Sequence, residues 1–408
     1  MEDSEQAHMG RNYDVMAAGH LCLDVIPRFA DTGARTLHEI LRPGKLVEVH
    51  EAKISTGGAV SNTGINLKTL GNKVCFSARV GDDAFGRLTL DFLRAKGNPE
   101  GVRVVPGSAS SYTVVIAPPN IDRMFLHNPG TNNEYGPEDL QPGLIAECRL
   151  FHFGYPPLMR RMYENNGGAL REILQKAKEC GATTSCDMAL PDPQSAAGQA
   201  PWYAILENVL PYVDIFLPSV EEAFYMLDPK ECLRLKRDHG GSDLIDVLTP
   251  DDYGRIADRL LGLGCKMTAL KAGHRGFYLK TGPASSFGGM GAARPGNPED
   301  WSMRELWHPA YSEPNPAGAT GSGDASIAGF LTGFLRGLGP EMALSCAACV
   351  GWQNLQELDA ISGVHDWEYT LDLIAKKMPV VDPRVRAPGW HWSEEHGVWS
   401  GPADPLST

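Results

Sequence analysis

Asn315-Pro-Ala-Gly-Ala-Thr-Gly-Ser-Gly-Asp324 runs straight into the apolar stretch 325–335, and how that junction is read decides the fold of this 408-residue chain. Gly318, Gly321 and Gly323 permit a tight turn and close approach to a ligand. The first amides of the helix predicted to follow are unpaired donors at the positive end of a dipole, an arrangement that holds an anion. A carboxylate at its edge, Asp324, would repel a stored anion. It is useful where a proton must be taken from a group that attacks the anion. Phosphoryl transfer needs both features: amides that neutralise the moving group and a base beside the nucleophile.

Outward from this junction the chain alternates strands and helices. Residues 15–26 read as a first strand broken by Gly19, and 74–80 as a later one; helices are predicted over 59–70 and 85–96, each ended by a glycine. Two short β-like segments, 112–117 and 124–127, flank Pro118-Pro119-Asn120 and read as a hairpin that covers something. Strands at 150–153, 183–187, 215–217, 267–271 and 276–280 are interspersed with helices at 168–179, 220–227 and 251–263. This order implies an α/β fold, a mainly parallel sheet with helices on both faces. Residues 281–316 are rich in Gly, Pro, Ser and Ala and read as an irregular insertion. Residues 1–12 form a polar leader, and 383–408 a Trp/Pro/Gly-rich extension expected to pack its aromatics on the domain or on a partner subunit.

A net charge of -13 argues against a broad nucleic-acid or anionic-membrane surface. The nine cysteines are scattered and odd in number, the usage of a reducing compartment. Cys346 and Cys349 form a lone C-x-x-C in an Ala-rich helical stretch, where packing is expected rather than zinc or redox chemistry. The N-terminus lacks a signal-peptide pattern and no run approaches ~20 apolar residues, so a cytoplasmic location is expected.

Three segments, in order, carry a family resemblance: Gly57-Gly58-Ala-Val-Ser-Asn62, Val80-Gly-Asp-Asp-Ala-Phe-Gly-Arg-Leu88 and Gly318-Ala-Thr-Gly-Ser-Gly-Asp324. Over residues 13–364 the chain resembles the PfkB or ribokinase family of small-molecule kinases. The resemblance implies a ribokinase-like domain over 13–382, with a small β lid built from segments near 21–55 and 112–128 that could also mediate a homodimer. It implies ATP and Mg²⁺, and phosphorylation of a hydroxyl on a sugar or sugar-like molecule. Asp324 then takes the position of the base, and Gly321, Ser322 and Gly323 that of the anion hole. Asp24 falls where the family grips acceptor hydroxyls, and Gly57, Gly58 and Asn62 where it also contacts the acceptor. Ser219-Val-Glu-Glu222 stands in place of the family's Asn-x-x-Glu, making Glu222 an indirect magnesium residue acting through water. Lys271, Gly273 and Gly276 match the segment that approaches the nucleotide.

The chain also departs from that pattern. Gly318-Ala319 replaces the Asp-Thr that opens the family signature near its monovalent-cation site, which speaks against potassium activation. The same changes, with Ser219, keep open a non-catalytic sugar or nucleotide sensor of the same fold. A Rossmann dinucleotide enzyme would need its glycines directly after a buried strand, and the proline-rich approach 308–316 does not supply one. His152, at the end of a predicted strand, could face the acceptor, although a satisfied core histidine fits the position better.

Overall fold

The computed structural model describes residues 10–121 and 123–406; most of the expected leader therefore lies outside the described residues. Fifteen strands are formed: β1 (Tyr13–Gly19), β2 (Cys22–Arg28), β3 (His50–Gly57), β4 (Val74–Gly81), β5 (Asn98–Val105), β6 (Tyr112–Ile116), β7 (Met124–Asn128), β8 (Cys148–Gly154), β9 (Thr183–Cys186), β10 (Ile215–Phe216), β11 (Met267–Lys271), β12 (Phe277–Thr281), β13 (Glu305–His308), β14 (His391–Ser393) and β15 (Val398–Ser400). Eleven make the main sheet, in the order β14-β15-β13-β12-β11-β10-β9-β8-β1-β4-β5. From β11 to β5 the pairing is parallel, and the β12, β13, β15 and β14 end is antiparallel.

Parallel strands covered on both faces have little room for polar side chains, and β1 illustrates this. Val15 and Ala17 enter one core, while Met16 and Ala18 enter the other. The first core is closed by helices Ala59–Thr69, Ser322–Leu335 and Pro340–Asn354, through residues such as Val60, Phe330 and Ala347. The second is closed by helices Gly168–Glu179, Trp202–Val209 and Pro250–Gly262, through Ile173, Ile205 and Leu260. Cys346 and Cys349 are free, buried and part of helix Pro340–Asn354.

A second sheet of four strands, β3-β2-β6-β7, uses the segments expected for the small β layer. Residues 15–26, expected as one broken strand, are in fact two strands in different sheets. Gly19 explains the break: its φ is +115°, and a side chain there would lie 2.5 Å from the Gly154 carbonyl oxygen. The chain turns out of β1 at that point and starts the second sheet at Cys22.

One composition-based expectation is revised, and another, that the tail packs its aromatics on the domain, gains two strands. Within 281–316, strand β13 (Glu305–His308) is fully buried and pairs with β12, its Leu306 and Trp307 alternating into opposite cores. Its Gly/Pro-rich flanks mask a four-residue strand too short to show periodicity. The 383–408 extension supplies β14 and β15 to the same edge, and Trp390 packs on Trp307 and Tyr278 at centroid distances of 6.1 and 6.4 Å. No helix among the described residues is long and apolar enough to cross a membrane.

Candidate active site

The carboxyl ends of the central parallel strands converge on one edge of the sheet, where open α/β sheets place ligands. Gly19-His20 leaves β1, Gly154-Tyr155 leaves β8, Asp187 follows β9 and Lys271 ends β11. The loop 318–324 crosses this edge and delivers the N-terminus of helix Ser322–Leu335. Gly321 makes the turn with φ +76°; a Cβ there would lie 2.2 Å from that of Ala360. The Ser322 amide points back to the Ala319 carbonyl at 3.3 Å, so it is turned inward rather than toward the anion position expected of it. The other amides of the first helical turn have no intrahelical acceptor.

Loop 318–324 separates two cavities. Gly318, Thr320, Gly321 and Asp324 face one of about 840 Å³, whereas Ala319, Ser322 and Gly323 face another of about 340 Å³. Asp324 is buried, and three donors fix its carboxylate. Tyr155 OH reaches Oδ2 at 2.6 Å, Asn62 Nδ2 reaches Oδ2 at 3.0 Å, and Thr63 Oγ1 reaches Oδ1 at 3.2 Å. Burial raises the Asp324 pKa above the ordinary carboxylate range, against the opposing pull of Tyr155, Lys271, Asn62 and Thr63. An oriented carboxylate with raised proton affinity can accept a proton from a hydroxyl.

In the larger cavity Asp24, Gly58 and Asn62 are lining residues. Gly57 stands behind Asp24: a side chain there would overlap the Asp24 carboxylate, 2.2 Å from Oδ2. Burial pushes the Asp24 carboxyl up to about 6, and Cys22 Sγ donates to its Oδ1 at 3.3 Å. His20 and His127, which the sequence did not single out, also line the cavity. Their Nε2 atoms lie 3.3 Å apart, and His127 Nδ1 meets Thr113 Oγ1 at 3.0 Å. Burial holds His20 near a pKa of about 3, so it is neutral. The cavity is crossed by two bridges from the second sheet to the main body, Lys53 to Asp359 and Arg123 to Thr320.

Lys271, Gly273 and Gly276 line the smaller cavity. Lys271 is half-buried and ion-paired with Asp187, with Glu222 at 3.9 Å. Burial opposes its charge, but Asp187, Glu222 and Asp324 outweigh that and raise its pKa. Ser219 and Glu222 lie beside this cavity and form a reciprocal helix cap, Ser219 N to Glu222 Oε2 at 2.6 Å and Glu222 N to Ser219 Oγ at 3.2 Å. The capping role that would explain Glu222 without a metal is thus present. Asp187 Oδ2 is buried without a hydrogen-bond partner, which fits an incoming cationic or hydrated ligand. Among the described residues no group of three or more His, Cys, Asp or Glu side chains is placed to hold a metal ion. Asp187 and Glu222 therefore fit a magnesium ion carried by nucleotide phosphates and water, not one caged by protein.

Tyr155, Thr63 and Asp187 were not anticipated. Asp187 and Tyr155 had one usable signal, their position just past the end of a buried strand. His152 belongs to the core: it is fully buried, bonds Ser185 Oγ through Nδ1 at 2.9 Å, and lines neither cavity.

The family model for pfkB family carbohydrate kinases matches residues 14–367. Among curated proteins, probable fructokinase-3 of Arabidopsis thaliana is 31% identical over 140 residues, 34% of this chain and 40% of that protein. Fructokinase-1 of Oryza sativa subsp. japonica is 28% identical over 181 residues, 44% and 51% of the two chains. The chain thus spans about half or less of the length of these curated relatives. Among solved structures, Arabidopsis thaliana ribokinase complexed with ribose and ATP superposes with a TM-score of 0.64 at 15% identity, covering 89% of this chain and 98% of that one. The fructokinase of Xylella fastidiosa with bound ATP gives 0.64 at 16% identity, with 89% and 98% covered. At such identities the likeness establishes the ribokinase-like fold. It leaves no place for a Rossmann dinucleotide fold, whose glycines would follow a central strand; here residues 309–317 intervene after β13.

Proposed function

The chain belongs to the pfkB family of carbohydrate kinases, and from that premise we propose that it transfers the γ-phosphoryl group of ATP to a hydroxyl of a sugar-like acceptor. The observation that carries this is the partition made by residues 318–324, with Asp324 facing the larger cavity and Ser322 and Gly323 facing the smaller. The acceptor occupies the larger cavity, held by Asp24, Asn62 and the backbone at Gly57 and Gly58. ATP enters from the smaller one, along Lys271, Gly273 and Gly276.

Asp324 accepts the hydroxyl proton at its carboxylate, oriented by Tyr155, Asn62 and Thr63. The free amides around Gly321 and Gly323 take up charge on the phosphoryl oxygens, aided by the helix dipole. Lys271 orients the phosphate chain. Glu222 and Asp187 would hold a magnesium ion arriving with the nucleotide, which would supply charge neutralisation on the phosphates. Gly318 and Ala319 offer neither carboxylate nor hydroxyl, and the reaction is written without a monovalent cation.

A homodimer through the second sheet is part of the proposal. On the face of that sheet opposite the cavity, Ile54 and Leu126 are 38% and 51% exposed, a row a second copy could cover.

The test is ATP consumption, coupled to ADP detection, across free sugars, sugar acids, polyols and nucleosides, with Asp324→Asn as the blank. The substitution can keep the bonds to Tyr155 and Asn62 through its amide oxygen, so folding should survive. Turnover should fall by roughly 10²–10⁴-fold with little change in ATP affinity. Near-normal turnover of a folded Asp324→Asn protein would remove Asp324 as the base. ATP binding without consumption for any acceptor would instead favour the non-catalytic sensor.

A further inference from the structure

The inner face of the second sheet is divided into two rows by its register. Asp24 is paired with Ser55 on one side and Thr113 on the other, and Thr113 with His127. All four side chains are polar. One step further along the same face, Ile26 is paired with Lys53, and Val115 with Phe125. Strand alternation puts the two rows on one face, about 7 Å apart. Asp24, Ile26, Thr113, Val115, Phe125 and His127 all line the larger cavity. The polar row lies next to Gly57, Gly58 and Asn62, beside Asp324, because β3 ends at Gly57 and leads into helix Ala59–Thr69. Away from the polar row the cavity is also lined by Phe29, Pro118 and Leu358, and by the cations Arg28 and Arg123, the latter bonded to Thr320. Lys53, the one cation of the apolar row, is occupied by Asp359.

A free sugar is ringed with hydroxyls, and those under Ile26, Val115 and Phe125 would lose water without gaining a partner. The cavity, about 840 Å³, falls in the upper part of the roughly 300–1,000 Å³ range of pockets that enclose drug-sized ligands. We infer, on the premise that the chain is a kinase, that its acceptor is amphipathic: a hydroxylated ring at the polar row, joined to an aromatic or branched apolar group that lies under the apolar row. A sugar bearing an apolar substituent has this chemistry and a free hexose or pentose does not.

The measurement is kcat/KM with MgATP for free ribose, glucose and fructose against nucleosides and phenyl glycosides of the same sugars, for wild type, Val115→Ser and Phe125→Ser. Phe125 is 52% exposed, so its replacement leaves the cores untouched. Substituted acceptors should exceed their free sugars by at least tenfold, since apolar groups in a pocket discriminate by about 10–200-fold. Each substitution should raise KM for the substituted acceptors several-fold, with kcat and free-sugar values unchanged. Equal or better use of free sugars, or a preference that neither substitution alters, overturns the amphipathic acceptor while leaving the kinase intact. Absence of phosphorylation for every acceptor would remove the kinase premise and this inference with it.

Discussion

Tyr155→Phe separates the proton affinity of the base from its position. The phenol is buried and donates to Asp324 Oδ2 at 2.6 Å, within the short range of hydrogen bonds to an ionised oxygen. Such a bond is worth about 1.5–3 kcal/mol. It favours the charged carboxylate, and 1.36 kcal/mol corresponds to one pKa unit, so its loss should raise the Asp324 pKa by about one to two units. Burial already shifts the group upward, and the substitution moves it further the same way. A base acts only when ionised. The acidic limb of kcat/KM should therefore shift to higher pH by about one to two units, with the plateau above it retained within a few-fold because Asn62 and Thr63 still orient the carboxylate. Folded stability responds through the same linkage. The unfolded pKa is common to both proteins, so the variant should lose about 1.5–3 kcal/mol where Asp324 is ionised in both folded states, and the difference should vanish as pH falls through their raised folded pKa values. The assays are a pH profile of kcat/KM and urea unfolding at neutral and acidic pH. An acidic limb that stays in place, or moves to lower pH, would refute Asp324 as the titrating base.

Three further expectations concern the charges on either side of the loop. Asp24, with its carboxyl pushed up to about 6, is ionised at neutral pH; if it grips acceptor hydroxyls as proposed, acceptor KM should rise as pH falls through about 6. Asp24→Asn should raise KM at neutral pH, flatten that dependence, and raise Tm at neutral but not at strongly acidic pH, because the cost of ionising a buried carboxyl is removed. Lys271→Met leaves Asp187 and Glu222 without their cation. Unfolding free energy should fall by about 3–5 kcal/mol, with partial recovery on adding Asp187→Asn, both read from denaturant melts. Burial, with Glu222 and Asp324 nearby, pushes the Asp187 carboxyl up against the pull of Lys271, and a divalent cation on incoming phosphates reverses part of that shift. MgATP binding should therefore release protons, seen as an enthalpy that varies with buffer in calorimetry. ATP without magnesium should release fewer.

The alternation of strands and helices was legible because parallel strands buried on both faces tend to be apolar runs, as residues 150–153 and 215–217 mainly are, although 183–187 is a polar Thr-Thr-Ser-Cys-Asp segment buried all the same. Gly19 was visible as an interruption, but only its +115° φ reveals that the chain changes sheets there. β13 escaped notice because four residues between Gly- and Pro-rich flanks carry no periodicity. Of the residues that line the larger cavity, Asp324 and Asn62 stood out in local motifs and Asp24 through the family resemblance. Tyr155 and Thr63 did not, because their role depends on contacts 169 and 261 residues away in sequence. Lys271 at the end of β11 meets Asp187, just past β9, across the intervening β10, a relation no local pattern encodes.

The placement of these charges accounts for a feature that composition alone makes puzzling, an acidic chain with an anion site at its centre. Asp187 and Glu222 gather on Lys271, Asp24 lines the larger cavity, and the carboxylate in the first turn after Gly321, Asp324, is restrained by three donors. Lys271 offsets the acids on the side proposed for the nucleotide, while on the proposed acceptor side burial keeps His20 neutral and Asp24 is ionised at neutral pH. An ionised Asp24 on the polar row suits a neutral hydroxylated ligand, because an anionic one would meet a like charge there. On the nucleotide side the surplus of carboxylates over Lys271 is unfavourable alone and becomes favourable once a divalent cation arrives with the phosphates. The same edge of the sheet thus separates a metal-dependent anion from a neutral acceptor, with residues 318–324 as the boundary at which the two would react.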